Sequence, residues 1–328
     1  MSESAINTIE RPATHRVLPP QCAPHSRWPA LGALLLLTGS LVVAQVPFEP
    51  AGPREQGPGG RGGRGRGGFP RGGMGGRFGG RGPGRGQPVD RSSYPTWENP
   101  PAFAHDVFTF ARIQYDSFGG RGQQWDNDYP DCDWNFSVRL KQLTSFEVDP
   151  NGKVLRLTDP ELFDHPFIYM SNVQQMSLSD DEIVALRKYL LNGGFVMMDD
   201  FWAPAAWRHV RDVMRQVFPG REPRELSLDH EIFHLVYSFQ EVPQVPSILA
   251  WRNGDKFEYW HGDPEGDEAP HFWGLFDDDG RLMALLCHNN DIGDGWEREG
   301  EEVEYFKAYS EKYSYPLGIN IVTYVMTH

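Results

Sequence analysis

From residue 108 to the C-terminus, short apolar runs alternate with stretches whose apolar residues recur at every third or fourth position. FTFARIQY (108–115) sets Phe108, Phe110 and Ile113 among β-favouring neighbours and predicts a first strand. Helical spacing follows over 135–143, then a short strand over 153–157 and a buried strand over 167–170. The clearest helix is predicted over 180–192. Ser179 is its N-cap with Glu182 three residues on, Ile183, Leu186 and Leu190 mark one face, and Gly193 suits the position just past its end. FVMM (195–198) comes at once, four apolar residues without polar alternation, the pattern of a strand covered on both faces. A second helix over 204–217 gathers Trp207, Val210, Val213, Met214 and Val217 on one side.

Strand, helix, strand and helix in this order imply crossover connections, hence an α/β fold with a doubly wound, mostly parallel sheet. In the C-terminal half the pattern turns hairpin-like. Residues 248–252 and 256–260 flank Asn253-Gly254, a two-residue turn signal. Residues 272–276 and 282–287 flank 277–280 in the same way, and also fit one core strand beside one edge strand. A closing helix is predicted over 318–326, after Pro316.

The first ninety-odd residues follow neither period. LGALLLLTGSLVVA (31–44), preceded by Arg16 and Arg27, has the make-up of a secretory signal, cleaved or retained as an N-terminal anchor. Residues 52–86 hold 18 of the 36 glycines and eight arginines, seven of them from Arg61 to Arg85 in loose RGG repetition. With so little apolar area to bury, the 45–94 stretch is expected to stay disordered. Three segments result: 1–44, a signal or anchor; 45–94, a Gly/Arg-rich linker; 95–328, the folded domain. The net charge of −14 is divided among them. Residues 45–94 carry nine arginines against Glu49, Glu55 and Asp90, whereas 95–328 carry 19 Lys+Arg against 40 Asp+Glu, a net −21. The basic arm suits an anionic envelope surface, and an export signal speaks against a nucleic-acid partner. Of the three cysteines, Cys132 and Cys287 remain after cleavage, and both a disulfide and two buried thiols fit them.

In an open parallel sheet, ligands bind beyond the carboxyl ends of the strands. Polar groups follow the predicted strands at four places: Tyr115 and Asp116; Ser171 and Asn172; Asp199 and Asp200; and His288 to Asp291, with Asn290 and Asp291 facing the ligand. Asp199 and Asp200 either aim into a cleft or cap the next helix in solvent. Asp229, His230 and His234 (LDHEIFHLVY) have a two-histidine spacing that would meet an Asp199 or Asp200 carboxylate only if the segment were helical. No metal ligand is assigned on that basis. WDNDYPDCDWN (125–135) packs aspartates among aromatics, compatible with calcium or with sugar stacking, yet lacks EF-hand spacing. DGWE (294–297), with Trp296, is expected to fold back over the rim because Gly293 and Gly295 flank its start. No GxSxG elbow and no GxGxxG fingerprint occur in the folded part.

The blocks FTFARIQYD, LTDPELFDHPFIYMSN, LSDDEIVALRKYLLNGGFVMMDDFW, LSLDHEIFHLVYSF and YPLGINIVTYVMTH, in this order, resemble the bacterial family called domain of unknown function 4159 over about 108–327. That family is similar to flavodoxin-like, class I glutamine amidotransferase-like domains, ThuA-like ones in particular. The resemblance implies the parallel sheet already expected from periodicity, and it supplies no activity. Gly193, Gly194, Asp199, Asp200, Asp229 and His230 match the family's blocks, whereas the amidotransferase cysteine and its partner histidine have no counterparts here.

The expected function is therefore binding of a small polar ligand, such as a saccharide, or of an envelope protein, by an exported domain without a nucleophile or cofactor. The alternative is a metal- or carboxylate-dependent hydrolase or isomerase acting on a carbohydrate, with Asp199, Asp200 and His230 as its catalytic candidates. Either would be secreted or periplasmic, or held at the membrane by residues 31–44.

Overall fold

Four apolar runs pair side by side to make the centre of the protein, as their lack of polar alternation requires. In the computed structural model, which describes residues 94–103, 106–119 and 124–328, the main sheet comprises β1 Ala111–Ile113, β2 Lys153–Leu155, β3 Phe167–Met170, β4 Phe195–Phe201, β5 Arg224–Glu225, β6 His271–Phe276 and β7 Leu282–His288. The strand order is β2-β1-β3-β4-β7-β6-β5. Its first five members are parallel, and β6 runs antiparallel to both neighbours. The candidate signal (31–44) and the Gly/Arg-rich stretch (52–86) lie outside the described residues. No helix among the described residues is long and apolar enough to cross a membrane.

Alternate residues of the central strands feed two cores. Phe167, Tyr169, Phe195 and Met197 join Phe136, Leu140 and Trp296 on one face. Ile168, Met170, Val196 and Met198 join Leu186, Leu190, Val210 and Met214 on the other. The first face is covered by α1 Asp131–Leu143 and the C-terminal helix Tyr315–Thr327, the second by α2 Asp180–Leu191 and α3 Ala203–Val217. Burial of β3 and β4 on both sides explains why neither shows a two-residue polar period.

α2 begins at the expected capping box: Ser179 Oγ accepts the Glu182 N–H, and the Glu182 carboxylate accepts the Ser179 N–H. It ends where Gly193 turns to φ +100°. The second hairpin also forms, as β6 and β7, with Asp277 tying its turn through the Asp279 and Arg281 N–H groups.

Three expectations change. The 108–115 run is divided: Val107–Phe108 pairs with Glu147–Val148, Ala111–Ile113 joins the main sheet, and Asp116–Ser117 pairs with Met176–Ser177. The 248–260 hairpin does not exist. Ile248–Arg252 is a short helix, α4, capped by Ser247, and Asn253-Gly254 stops it, Gly254 lying at φ +84°. Asn-Gly supplies the same left-handed geometry to a helix end as to a hairpin turn, so the dipeptide does not discriminate. The closing helix starts earlier than expected, at Tyr315, running on from a π-helical stretch over Phe306–Ser314.

Candidate functional site

The strand expected to stop at Met198 continues through Asp199, Asp200 and Phe201, all buried. Against β7, Leu286 pairs with Met198 and His288 with Phe201, so β4 holds one residue more than its partner over this stretch. Asp200 absorbs the excess at φ +54°. A bulge of this kind re-aims side chains at a sheet edge, and a non-glycine residue in the left-handed region carries strain that its surroundings must hold. Asn172, Ala203 and Asn289, which follow β3, β4 and β7, share that left-handed geometry, as does Asp128.

Asp199 is fully buried. Its Oδ2 accepts the Tyr169 hydroxyl at 3.0 Å and the Gly293 N–H at 2.8 Å, while Oδ1 has no hydrogen-bond partner. Asp200 Oδ1 accepts the Trp202 indole N–H at 3.1 Å, and its Oδ2 accepts the Asn127 amide at 2.9 Å. Asn127 belongs to the acidic aromatic stretch 125–135, which is anchored from beneath by Arg112. That guanidinium, fully buried, grips both Asp133 oxygens and donates to the Trp125 and Asn127 carbonyls. The stretch thereby brings Asp128 to the same place.

Two further segments close the cluster. The chain after α4 brings in Glu258, whose Oε1 accepts the Ser247 N–H, and His261, whose Nε2 lies 3.2 Å from Glu258 Oε2. After β7, Asp291 caps α5 Ile292–Glu297 by accepting the Asp294 N–H. Asp294 in turn accepts the Ile248 N–H and the Tyr305 hydroxyl.

Crowding this many carboxyl groups away from water raises their proton affinity. Burial raises Asp128 to about 6, with repulsion from Asp294 adding to it. Burial raises Asp199 to about 7 against the pull of the Gly293 N–H, and Glu258 to about 8 against that of Ser247. Asp200 and Asp291 are pushed well above the carboxylate range by burial and by repulsion, chiefly from Glu258 and from Asp200 respectively. Ligand atoms of Asp128, Asp200 and Asp291 lie within 4.8 Å of one another, as do those of Asp200, Glu258 and His261, and those of Asp128, Asp294 and Glu297.

Of the residues singled out from sequence, Ser171, Asn172, Asp199, Asp200, Asn290 and Asp291 do share the carboxyl edge. Their work there differs. Tyr115 is a strut, its hydroxyl donating to the Ser171 and Asn172 carbonyls. Asn290 bonds to the backbone of Val245 and Pro243. Trp296 is 1% exposed and packs beneath the cluster against Phe110, Phe136 and Tyr169, so it is core and not rim. Asp116 is exposed and faces Arg156 at 3.4 Å.

Asp229 and His230 are not there. His230 packs on Phe276 and Tyr324; Phe276 pairs with Leu282 at the start of β7, whereas the aspartate pair adjoins its end at His288. Six residues of strand, on the order of 20 Å, separate the two. His230 and His234 are not on a helix. Both bond to nearby backbone, the Ile232 N–H and the Leu228 carbonyl. Cys132 and Cys287 are free, buried thiols, and burial raises both well above the usual thiol range.

Asp128, Glu258, His261, Asp294 and Glu297 were not assigned from sequence. The two aspartate-bearing motifs, 125–135 and 294–297, were legible signals. Glu258 and His261 were hidden by the false hairpin. Gly293 is needed for closeness, not for turning: a Cβ there would collide with the Tyr169 hydroxyl and stand 3.3 Å from Asp128 Oδ2. Gly293→Ala is therefore expected to cost about 1–3 kcal/mol in a urea titration, as overpacking does.

A family model described as "Domain of unknown function (DUF4159)" matches residues 109–326. None of the curated proteins compared with this chain matches it.

Proposed function

This chain belongs to the DUF4159 family, whose description carries no reaction, and from that premise we propose that it is a divalent-cation-dependent hydrolase acting at the carboxyl edge of the sheet. The observation that carries the reading is an excess of buried carboxyl groups. Asp128, Asp199, Asp200, Glu258, Asp291, Asp294 and Glu297 converge, and the basic groups whose charge they feel are Arg112, already bound to Asp133, Arg298 and His261. A cation bound by Asp128, Asp200 and Asp291 replaces protons that burial otherwise forces onto them, and an all-oxygen set suits Mg²⁺, Ca²⁺ or Mn²⁺. Such an ion acidifies a bound water. Asp199, whose Oδ1 has no hydrogen-bond partner and whose Oδ2 accepts from Tyr169 and Gly293, is the residue proposed to take the proton.

A hydroxyl-rich ligand such as a saccharide is the proposed substrate class. Trp260, 50% exposed and packed beside His261, offers an aromatic face next to the cluster. Indole faces stack on sugar rings. Both thiols are buried with raised pKa values, which supports chemistry without a cysteine nucleophile.

The parallel strands follow a 2-1-3-4-5 order, the flavodoxin-like sequence, with its switch point between β1 and β3. That order supports the finer relationship to amidotransferase-like and ThuA-like domains. Export rests on residues 31–44, and contact with anionic envelope material on the arginines of 52–86.

Calorimetric titration of chelator-stripped protein tests the reading. Mn²⁺ or Mg²⁺ is expected to bind, Asp128→Asn and Asp200→Asn to weaken binding at least tenfold, and His230→Ala to leave it unchanged. Cation-dependent release of reducing ends from an oligosaccharide mixture is the expected activity. Stripped protein that binds none of Mg²⁺, Ca²⁺, Mn²⁺ or Zn²⁺ would sink the proposal.

A further inference from the structure

We infer that the centre seats two cations bridged by Asp200, the second held by Glu258 and His261; this rests on the cation-binding reading above. Asp200 is common to two ligand groups, one with Asp128 and Asp291, the other with Glu258 and His261. Its oxygens are turned to different partners, Oδ1 to Trp202 and Oδ2 to Asn127. Each accepts one N–H and keeps a second lone pair, so one carboxylate has an oxygen for each ion. Bridged pairs of this kind sit about 3.5–4 Å apart.

The third group, Asp128 with Asp294 and Glu297, is the weaker candidate. Asp294 already accepts from Ile248 and Tyr305, and Arg298 neutralises both Asp294 and Glu297 at 3.4 and 2.7 Å.

The His261 position is built as a ligand site. Glu258 is 2% exposed and its Oε1 is fixed by the Ser247 N–H, which leaves Oε2 facing the imidazole. The ring is held from behind: Gln174 lies 2.5 Å from Nδ1 and also contacts Asn172, whose amide contacts Gln124. Every link of that chain is an amide. Turning Gln124, Asn172 and Gln174 by 180° reverses the direction of each hydrogen bond without breaking contact. Nδ1 then carries the ring proton and donates it to Gln174, which leaves Nε2 as the unprotonated nitrogen, the support that ligating histidines ordinarily have. An imidazole among the donors also separates the two positions chemically. The Asp128 position is all oxygen and favours hard cations, whereas the His261 position favours Zn²⁺, Mn²⁺ or Fe²⁺.

The test uses the full chain, stripped and reloaded with Mn²⁺, then measured for metal content and by electron paramagnetic resonance. Two Mn²⁺ per chain with an exchange-coupled spectrum is the expected result. His261→Ala and Glu258→Gln should each reduce this to one Mn²⁺ with an uncoupled six-line signal, and Asp128→Asn should also leave one. Circular dichroism identifies any variant that fails to fold, and the wild-type spectrum decides independently of the variants. A single uncoupled Mn²⁺ in the wild type, or two retained in both His261→Ala and Glu258→Gln, overturns the bridged pair while sparing the one-cation reading. Absence of any binding overturns both.

Discussion

Arg112→Met is expected to lower stability by about 3–5 kcal/mol, the usual result of removing one member of a buried ion pair. Arg112 and Asp133 are 0% and 1% exposed, so Asp133 would be left without its cation in the interior. The guanidinium also lies over the Tyr169 ring, 4.9 Å from its centroid, and that tyrosine donates to Asp199. Through the Trp125 and Asn127 carbonyls it ties down the segment that delivers Asp128 and Asn127. Arg112→Lys keeps the charge but loses the planar fork that reaches three partners at once, so a smaller loss in the same direction is expected. Urea unfolding measures the stability, and amide exchange over 124–130 tests the link to the site. Faster exchange there with weakened cation binding is expected. Unchanged exchange in Arg112→Met would refute the anchoring role.

The second large effect is on pH dependence. Asp128, Asp199 and Glu258 have folded pKa values raised to about 6, 7 and 8, well above those of the unfolded chain. The folded state therefore binds more protons than the unfolded state above about pH 4, and its stability falls as pH rises. The stabilisation these groups contribute is fully present below the unfolded carboxyl range and is lost progressively between about pH 4 and pH 8. A tenfold difference in proton affinity between the folded and unfolded chain is worth about 1.4 kcal/mol, so even a partial contribution makes a loss of a few kcal/mol. Divalent cations compete with protons for the same oxygens. Melting temperature should thus fall from pH 5 to pH 8 in chelator, and Mn²⁺ should raise it more at pH 8 than at pH 5. At a hundredfold excess over its dissociation constant the ion adds about 2.7 kcal/mol. Melting curves that are flat with pH in chelator would contradict this account of the carboxyl cluster.

Periodicity found the elements whose local signals agree with their burial. The run 195–198 lies within β4, 167–170 is β3, and the Ser179–Glu182 box with Gly193 bounds α2 almost to the residue, because caps and apolar period act within one turn or one strand. The failures have one character. Asn253-Gly254 serves a helix end as readily as a hairpin, and Asp199-Asp200 look like the end of a strand when they are its bulged continuation. In both cases the neighbour decides: Glu258 and Ser247 cap the helix, and β7 pairs beyond the aspartates as far as Phe201.

Written in the chain alone were the parallel α/β sheet, its covered faces and the polar residues that follow its strands, since these depend on short-range spacing and on hydrophobic burial. The companions of Asp199 and Asp200 were left to long-range packing. His230 has the more suggestive spacing yet goes to the far end of β7, while Asp128 and His261 arrive from segments with no period at all. A carboxylate's chemistry is set by what stands within a few ångströms of it in a medium of low polarity. Only the folded backbone brings Asp128, Asp200, Glu258, His261 and Asp291, drawn from across more than 160 residues, to that separation.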